Sequence, residues 1–296
     1  MDAPVLGIIA PHPPIMVPEV GGHRASVTDD SAAAMALAAR ILAAFAPDLI
    51  VLMSPHAPLA RDVFVIDTSE HAGGDLRRFG APGVRIHAPG DPVFASALID
   101  EATASGITVV ARSASPLLDA GILDHGALVP LSFLDRAGRY RLVEISLAFL
   151  PLETHWELGR AIRRVAVRLG RKVAFVASGD CSHRLTREAP AGYSPRGAEF
   201  DAELVRILSA GAYRELETID PDLIETAGEC GLRSFVTLGG FLEGSPTHTR
   251  VLSYEGPWGV GYLTGIAAAP DLLAGLAASK QPAAAATPQT GAKGGT

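Results

Sequence analysis

The chain has 296 residues, a formal net charge of −7 and 48% hydrophobic residues. A sequence of this length and composition can bury a large core, which excludes a wholly disordered protein. The acidic balance, with lysine and arginine scattered along the chain, argues against a nucleic-acid surface and against a polybasic membrane surface. We therefore expect a protein that acts on a small molecule.

The cellular compartment is predicted from cysteine usage and from the start of the sequence. Cys181 and Cys230 are the two cysteines, which argues against a disulfide scaffold and favours a reducing environment. Residues 1–4 lack the basic segment of a signal peptide. No apolar run reaches the roughly 18 residues that a membrane span requires. The sequence predicts a cytoplasmic protein.

Two buried strands each lead to a histidine that lies between prolines. The runs 5–10 and 49–54 are apolar, and they are followed by His12 and His56. Proline cannot continue a ladder of strand hydrogen bonds. We therefore expect both histidines at rigid junctions between a strand and a loop.

The elements between these strands and the centre of the chain follow helical or strand-like periodicity. Segment 69–92, rich in Gly, Arg and His, predicts a long loop or an excursion with weak hairpin character. His125, beside Gly126 and shortly before Pro130, is predicted to lie in a loop. The other predicted elements are a helix from about Asp30 to Phe45, a strand at Val63–Thr68, a helix from about Pro92 to Ser105, a strand at Ile107–Ala111, a strand beginning at Tyr140 and a helix from Glu153 to Leu169.

The run Val173–Ala177 predicts a central strand that is buried on both faces. It is followed by Gly179, Asp180 and His183. Groups just beyond the carboxyl ends of strands in open α/β sheets line the binding crevice. We therefore expect the histidines that follow the three buried strands to meet at one edge of a sheet.

The remainder of the chain predicts helices and then a change of composition. Helices begin at Ser194-Pro195 and at Asp220-Pro221, a further helix carries Phe235 inward, and a strand or hairpin at 249–265 closes the domain. We predict a single α/β domain over 1–268, with a central, mostly parallel or mixed sheet flanked by helices. Residues 269–296 are predicted to be a tail, largely disordered after about residue 281.

Four of the nine histidines, namely His12, His56, His125 and His183, occupy strand ends or segments framed by Gly and Pro. A single histidine of this kind is more often structural than catalytic. Imidazoles that converge with one carboxylate form the two-histidine, one-carboxylate set that leaves open positions on Fe(II). From spacing alone, a metal site and a set of packed or capping histidines are equally open.

The motifs around these residues resemble a known superfamily in their order and spacing. They resemble the class III extradiol ring-cleavage dioxygenases, the superfamily of the protocatechuate 4,5-dioxygenase β subunit, over about residues 5–265. The same superfamily contains Memo-like proteins, which keep the fold and a metal pocket but are not established ring-cleaving enzymes. The motifs are Ala10-Pro-His-Pro-Pro14, Ser54-Pro-His-Ala-Pro58, Leu123-Asp-His-Gly126 and Ser178-Gly-Asp-Cys-Ser-His183.

The resemblance implies metal ligands at His12 and His56 and a carboxylate ligand late in the chain, which falls on Glu229. Memo-like proteins present a cysteine at about this place, so the adjacent Cys230 is the alternative ligand. Glu229 favours Fe(II) or Mn(II), whereas Cys230 favours zinc or copper. On ligand hardness we expect Fe(II) bound through Glu229.

The resemblance also implies the chemistry of the pocket. His183 matches the acid/base of the family, and His125 matches a second pocket histidine, with a turn histidine as the alternative. Asp180 is expected to orient an imidazole or to hold the turn. The implied function is oxidoreductase chemistry in aromatic catabolism, in which an extradiol dioxygenase cleaves a catechol- or 2-aminophenol-type ring with O₂.

Two alternatives to ring cleavage remain, a copper- or zinc-binding protein without that activity and a zinc hydrolase. The expected partners are a small aromatic substrate and O₂, with no nucleic acid and no membrane. Self-association or a small partner subunit is also compatible with the family.

Overall fold

A mixed eight-stranded sheet forms the centre of the protein in a computed structural model, which describes residues 4–278. A separate two-stranded ribbon pairs His71–Leu76 with Ala81–Pro89. The strands are β1 (Val5–Ala10), β2 (Leu49–Ser54), β3 (Phe64–Ile66), β4 (His71–Leu76), β5 (Ala81–Pro89), β6 (Val109–Ala111), β7 (Arg141–Ser146), β8 (Val173–Ser178), β9 (His248–Glu255) and β10 (Tyr262–Ala268).

Helices cover both faces of the sheet. The helices Pro92–Ala104, Leu152–Arg168, Pro195–Ala210 and Leu232–Leu242 pack on one face, against one apolar cluster. The helices Asp29–Phe45 and His125–Leu134 pack on the other face, against a second apolar cluster. Over the described residues the helices are α1 (Pro18–Gly21), α2 (Asp29–Phe45), α3 (Pro92–Ala104), α4 (His125–Leu134), α5 (Leu152–Arg168), α6 (Pro195–Ala210), α7 (Pro221–Ala227), α8 (Leu232–Leu242) and α9 (Pro270–Ala278).

The order of strands across the large sheet is β6-β3-β7-β2-β8-β1-β10-β9. Strands β7, β2, β8 and β1 run parallel to one another, whereas β7 pairs antiparallel with β3 on one side and β1 pairs antiparallel with β10 on the other. The predicted fold class, a single α/β domain with a mixed sheet flanked by helices, is confirmed.

Continuous apolar runs produce the three central strands, because every residue of β1, β2 and β8 is buried. In β1, Val5 and Ile9 face one apolar cluster, whereas Leu6 and Ile8 face the other. A strand with helices on both faces has no solvated side and therefore no polar alternation. Parallel pairing of these three strands brings their carboxyl ends to one edge of the sheet.

The segment predicted as a loop around His125 is instead helical. The Asp124 side chain caps α4 by accepting a hydrogen bond from the Gly126 amide at 2.6 Å. Pro130 lies inside this helix and cannot bond the carbonyl of Gly126. The Ser178 hydroxyl donates to the Gly126 carbonyl at 2.6 Å instead. The helix therefore accommodates Pro130 without leaving that buried carbonyl unpaired.

Segment 69–92, predicted as a long loop or an excursion with weak hairpin character, contains the β4–β5 ribbon and a short turn at Arg77–Phe79 between its strands. At the other end of the chain, Pro270–Ala278 forms α9 within the segment predicted as a tail. The disorder predicted after residue 281 lies outside the described residues, and the domain boundary at 268 stays a prediction. No helix within residues 4–278 combines the length and the apolar character that a membrane span needs.

Candidate metal centre

The carboxyl ends of β1, β2 and β8 bring the predicted site residues of the three strands together. His12 follows β1, His56 follows β2, and Asp180 and His183 follow β8. His125, the first residue of α4, lies against the same edge, with its ring centroid 4.1 Å from that of His56. Segments far apart in the chain therefore build one cluster of imidazoles.

His12 is held in a fixed orientation from both sides. Its backbone amide donates to Asp180 Oδ1 at 3.0 Å, and its Nδ1 lies 3.0 Å from Ser178 Oγ. The Ser178 hydroxyl proton is already used on the Gly126 carbonyl, so Ser178 Oγ accepts from Nδ1–H. The lone pair of His12 is thereby placed on Nε2, the atom that faces His56 and Cys230.

His12 Nε2 lies 3.1 Å from His56 Nε2. Two nitrogens that each lie about 2.0–2.1 Å from one metal ion are about 3.0–3.4 Å apart at ordinary coordination angles. His12, His56 and His125 together offer ligand atoms that all lie within 4.8 Å of one another. The imidazole arrangement is thus compatible with one transition-metal ion.

The pocket also keeps these imidazoles in the neutral form that binds metals. Burial, followed by the neighbouring His56 and His125 rings, holds the pKa of His12 well below its usual value. Burial lowers the pKa of His56, and the negative charges of Asp124 and Asp180 oppose this lowering. Burial and then His56 lower the pKa of His125 to about 4. No proton therefore has to be displaced from a charged imidazole when a metal binds at neutral pH.

A second group of ligand-type atoms shares His12 and adds Asp180 and Cys230. Cys230 Sγ lies 3.8 Å from His12 Nε2 and accepts from the Asp180 amide at 3.3 Å. A sulfur at about 2.3 Å and a nitrogen at about 2.0–2.1 Å from one tetrahedral metal lie about 3.5 Å apart. The thiol therefore stands near a ligand position beside His12.

The close approach of two backbone segments brings Cys230 to this position. A Cβ on Gly179 would lie 2.2 Å from the Cα of Gly231, so a larger residue would push the turn that carries Cys230 away from β8. The Cys230 amide also donates to the carbonyl of Asp180 at 3.3 Å. Burial raises the pKa of the Cys230 thiol well above its usual value, and metal binding would deprotonate it.

Glu229, the carboxylate expected as a ligand, belongs to neither of the two groups found among the described residues. Its Oε2 accepts a hydrogen bond from the Leu232 amide at 2.6 Å, at the start of α8. Burial raises the pKa of Glu229, and the hydrogen bond to Leu232 opposes that effect. In this conformation the Glu229 carboxylate is the hydrogen-bond acceptor for one of the free backbone amides at the start of α8.

His183 lies beside the cluster with one ring nitrogen already used. Its Nδ1 is hydrogen-bonded to the carbonyl oxygen of Gly228. A carbonyl can only accept, so Nδ1 carries the proton and Nε2 carries the lone pair. Buried Asp180 has its pKa raised to about 6 by desolvation, which the hydrogen bond from the His12 amide opposes.

Three supporting residues were not among the predicted site residues, namely Ser54, Asp124 and Ser178. Ser54 Oγ donates to Asp124 Oδ1 at 2.8 Å and accepts from the His56 amide at 3.2 Å. The aspartate before His125 is the signal that could have been recognised, because Asp followed by Gly two residues later fits a helix cap. Phe79 of the ribbon was also missed, and its ring centroid lies 5.4 Å from that of His125.

Residues 6–265 match the model described as the catalytic LigB subunit of aromatic ring-opening dioxygenase. The chain is 34% identical over 258 residues to Protein CA_C1420 of Clostridium acetobutylicum, a match that covers 86% of this chain and 55% of that protein. This chain thus spans only about half the length of that relative.

Two further similarities are more distant. The chain is 25% identical over 209 residues to 3,4-dihydroxyphenylacetate 2,3-dioxygenase of Escherichia coli, covering 66% of this chain and 74% of that protein. The crystal structure of uncharacterized protein JW3007 from Escherichia coli K12 shares the fold, with a TM-score of 0.58 and 17% identity. That match covers 89% of this chain and 99% of JW3007.

The sequence motifs resemble the same superfamily, and the family model covers nearly all of the residues that build the sheet and the imidazole cluster. The chain belongs to the family of LigB catalytic subunits of aromatic ring-opening dioxygenases.

Proposed function

We propose that this protein is a metal-dependent dioxygenase that opens a catechol- or 2-aminophenol-type ring with O₂. The observation that carries the proposal is the 3.1 Å separation of His12 Nε2 from His56 Nε2, both imidazoles being favoured in their neutral form. Membership of the ring-opening family and the 25% identical dioxygenase support the reaction class. The metal we assign to this activity is Fe(II).

The third protein ligand in this proposal is Cys230, which is chosen on geometry although ligand hardness favours a carboxylate on Fe(II). Its sulfur lies 3.8 Å from His12 Nε2, whereas the Glu229 carboxylate is engaged by the Leu232 amide. For Glu229 to become the ligand, it would have to release that amide and turn toward His12. Cys230 already lies beside His12, but its group of ligand-type atoms does not include His56, so Cys230 must lose its proton and move toward His56 to complete this set.

The protein residues around the metal would orient the substrate and move protons. A bound iron would bring substrate and O₂ together and carry the electron transfer between them. His183 Nε2, whose lone pair is fixed by the Nδ1 contact with Gly228, would accept a proton from the substrate hydroxyl. His125, whose pKa is lowered to about 4, would act as a neutral hydrogen-bonding partner.

A second candidate function is a copper or zinc centre without ring cleavage. The specific observation that favours it is again the position of Cys230, because a thiolate with two imidazoles suits these softer ions. Under this alternative the same three residues bind the metal, and only the metal and the reaction differ.

Anaerobic purification, elemental analysis and oxygen-uptake measurements separate the two functions. The proposed function predicts about one iron per chain and uptake of O₂ that depends on an added catechol or 2-aminophenol. Zinc or copper at the same stoichiometry, with no uptake after replacement by iron, would support the second candidate and contradict the first.

Paired variants at adjacent positions test the third ligand. Cys230→Ser is expected to weaken metal binding about 10- to 100-fold or more, because outer-sphere changes alone cost about that much. Glu229→Gln is expected to leave metal affinity within about threefold, because its carboxylate contacts a helix amide instead. Chelator competition measures both affinities, and the opposite order of effects would make Glu229 the ligand.

A further inference from the structure

A largely buried group of charged side chains lies beside the imidazole cluster. It consists of Arg112, Glu144, Asp67 and Asp124, and we call it the carboxylate cluster. Arg112 is 3% exposed and Glu144 is 2% exposed. Glu144 lies on β7, opposite Leu52 of β2, and so belongs to the strand beside the one that leads to His56.

Arg112 is surrounded by acceptors. Its Nη1 donates to Glu144 Oε2 and, at 3.4 Å, to Asp67 Oδ2. Its other nitrogens donate to two backbone carbonyls, those of Leu118 and Ile122. These bonds fix the segment that leads directly to Asp124 and α4.

Asp67 only accepts hydrogen bonds. Its Oδ1 receives the Ser69 amide at 2.9 Å, and its Oδ2 receives the Gly121 amide at 2.9 Å as well as Arg112. Asp67 therefore supplies a negative charge opposite the buried guanidinium. With that charge in place, a second anion at Glu144 has no further cation within the cluster to balance it.

Two oxygens in the cluster are left over when both remaining carboxyl groups are ionised. Glu144 Oε1 and Asp124 Oδ2 are buried and have no hydrogen-bond partner among the described atoms. Two buried carboxylate oxygens without donors are costly, because each oxygen loses hydration and gains no hydrogen bond in return. The Glu144 and Asp124 side chains are within hydrogen-bonding reach of each other, so one proton shared between them satisfies both oxygens at once.

We propose that Glu144 is protonated at neutral pH and donates this proton to Asp124, making Glu144 a positioning residue for the imidazole cluster. Burial, followed by the negative charge of Asp124, raises the pKa of Glu144 well above its usual value, and Arg112 opposes the effect. Glu144 Oε2 remains the acceptor for Arg112, so both oxygens of the neutral carboxyl group have distinct partners.

The protonation of Glu144 affects the imidazole cluster through the hydrogen bonds of Asp124. With Oδ2 held by Glu144, Asp124 Oδ1 is directed at the Gly126 amide and the Ser54 hydroxyl. The first contact places His125 at the start of α4, and the second holds the turn whose His56 amide donates to Ser54 Oγ. The inference deepens the proposed function, since it concerns the support of that site, but it does not depend on which metal is bound.

The variant Glu144→Gln tests the protonation directly. A glutamine can accept from Arg112 through its oxygen and donate to Asp124 through its amide nitrogen, as the neutral acid does. We expect its metal affinity to stay within about threefold of the parent protein. Glu144→Asp, one methylene shorter, is expected to lose metal affinity about 10- to 100-fold, the usual cost of removing a partner that orients a ligand.

Asp67→Asn is the matched control. The side-chain NH2 of Asn would face either the Ser69 amide or the Gly121 amide and Arg112, all of which are hydrogen-bond donors. We expect a clear fall in its melting temperature, whereas Glu144→Gln melts close to the parent protein. A loss in Glu144→Gln as large as that in Asp67→Asn would show that Glu144 is ionised, and would overturn the proposal.

Infrared difference spectroscopy of the metal-free protein gives an independent measurement. The carbonyl band of a protonated carboxylic acid is expected in the parent protein at neutral pH and absent in Glu144→Gln. Its absence from the parent protein would overturn the inference. Failure of the parent protein to bind metal would instead count against the proposed function, because the infrared and melting measurements need no metal.

Discussion

His56→Ala is expected to lower metal affinity by at least about 100-fold, more than the loss of an orienting partner usually costs. His56 is partly shielded from water, which lowers its pKa, but the residue as a whole is exposed, and its Nε2 lies 3.1 Å from His12 Nε2. Its removal leaves no buried cavity, so the fold is expected to survive. Metal content after desalting and a chelator competition titration measure the effect, and oxygen uptake is expected to disappear with the metal.

His23→Ala is the matched control, because His23 is also exposed and lies in the segment between β1 and α2. This variant is expected to bind metal as the parent protein does. If His56→Ala kept a full equivalent of metal with unchanged affinity, His56 would not be a ligand, and the proposed site would be wrong.

His183→Ala is expected to lower kcat by about 10²- to 10⁴-fold, the usual contribution of a positioned acid/base. The reason is the fixed tautomer, because the Gly228 carbonyl holds the proton on Nδ1 and leaves Nε2 free to accept one. Steady-state oxygen uptake in the iron-loaded protein measures kcat. Added imidazole is expected to restore part of the lost rate.

The metal content of His183→Ala separates a proton-transfer role from a ligand role. We expect it to equal that of the parent protein, because His183 is in neither group of ligand-type atoms among the described residues. His248→Ala, at an exposed position on β9, serves as the control for an unrelated histidine. An unchanged kcat in His183→Ala would remove His183 from the proposed mechanism.

Much of the fold could be predicted because its central strands are apolar on both faces. The runs at 5–10, 49–54 and 173–178 permit only a strand between two layers of helices or a buried helix, and their short length favours the strand. Since parallel strands end at the same edge, the meeting of His12 with His56 followed from that prediction.

Other features depend on contacts that local sequence does not encode. The helix at His125–Leu134 was missed because Pro130 argues against a helix, and only Ser178, distant in sequence, satisfies the carbonyl of Gly126. The pattern of the β4–β5 ribbon is faint because it contains several residues of weak strand propensity, namely Gly73, Gly74, Asp75, Pro82, Gly83 and Pro89.

The choice between Glu229 and Cys230 depends on the direction of a turn. Adjacent residues in a turn point in different directions, and ligand hardness alone favoured the carboxylate. The contact of Gly179 with Gly231 fixes the path of this turn and places the sulfur near His12. A pair of glycines separated by about fifty residues carries no local signal of that contact.

Anomalous X-ray diffraction from metal-loaded crystals, measured at the absorption edge of the bound metal, tests the central claim most directly. We predict one peak within about 2.0–2.1 Å of His12 Nε2 and His56 Nε2 and about 2.3 Å of Cys230 Sγ, with the thiol and the His56 ring moved closer together by metal binding. A peak remote from His12 and His56, or no peak in crystals of protein loaded with a full equivalent of metal, would contradict the account.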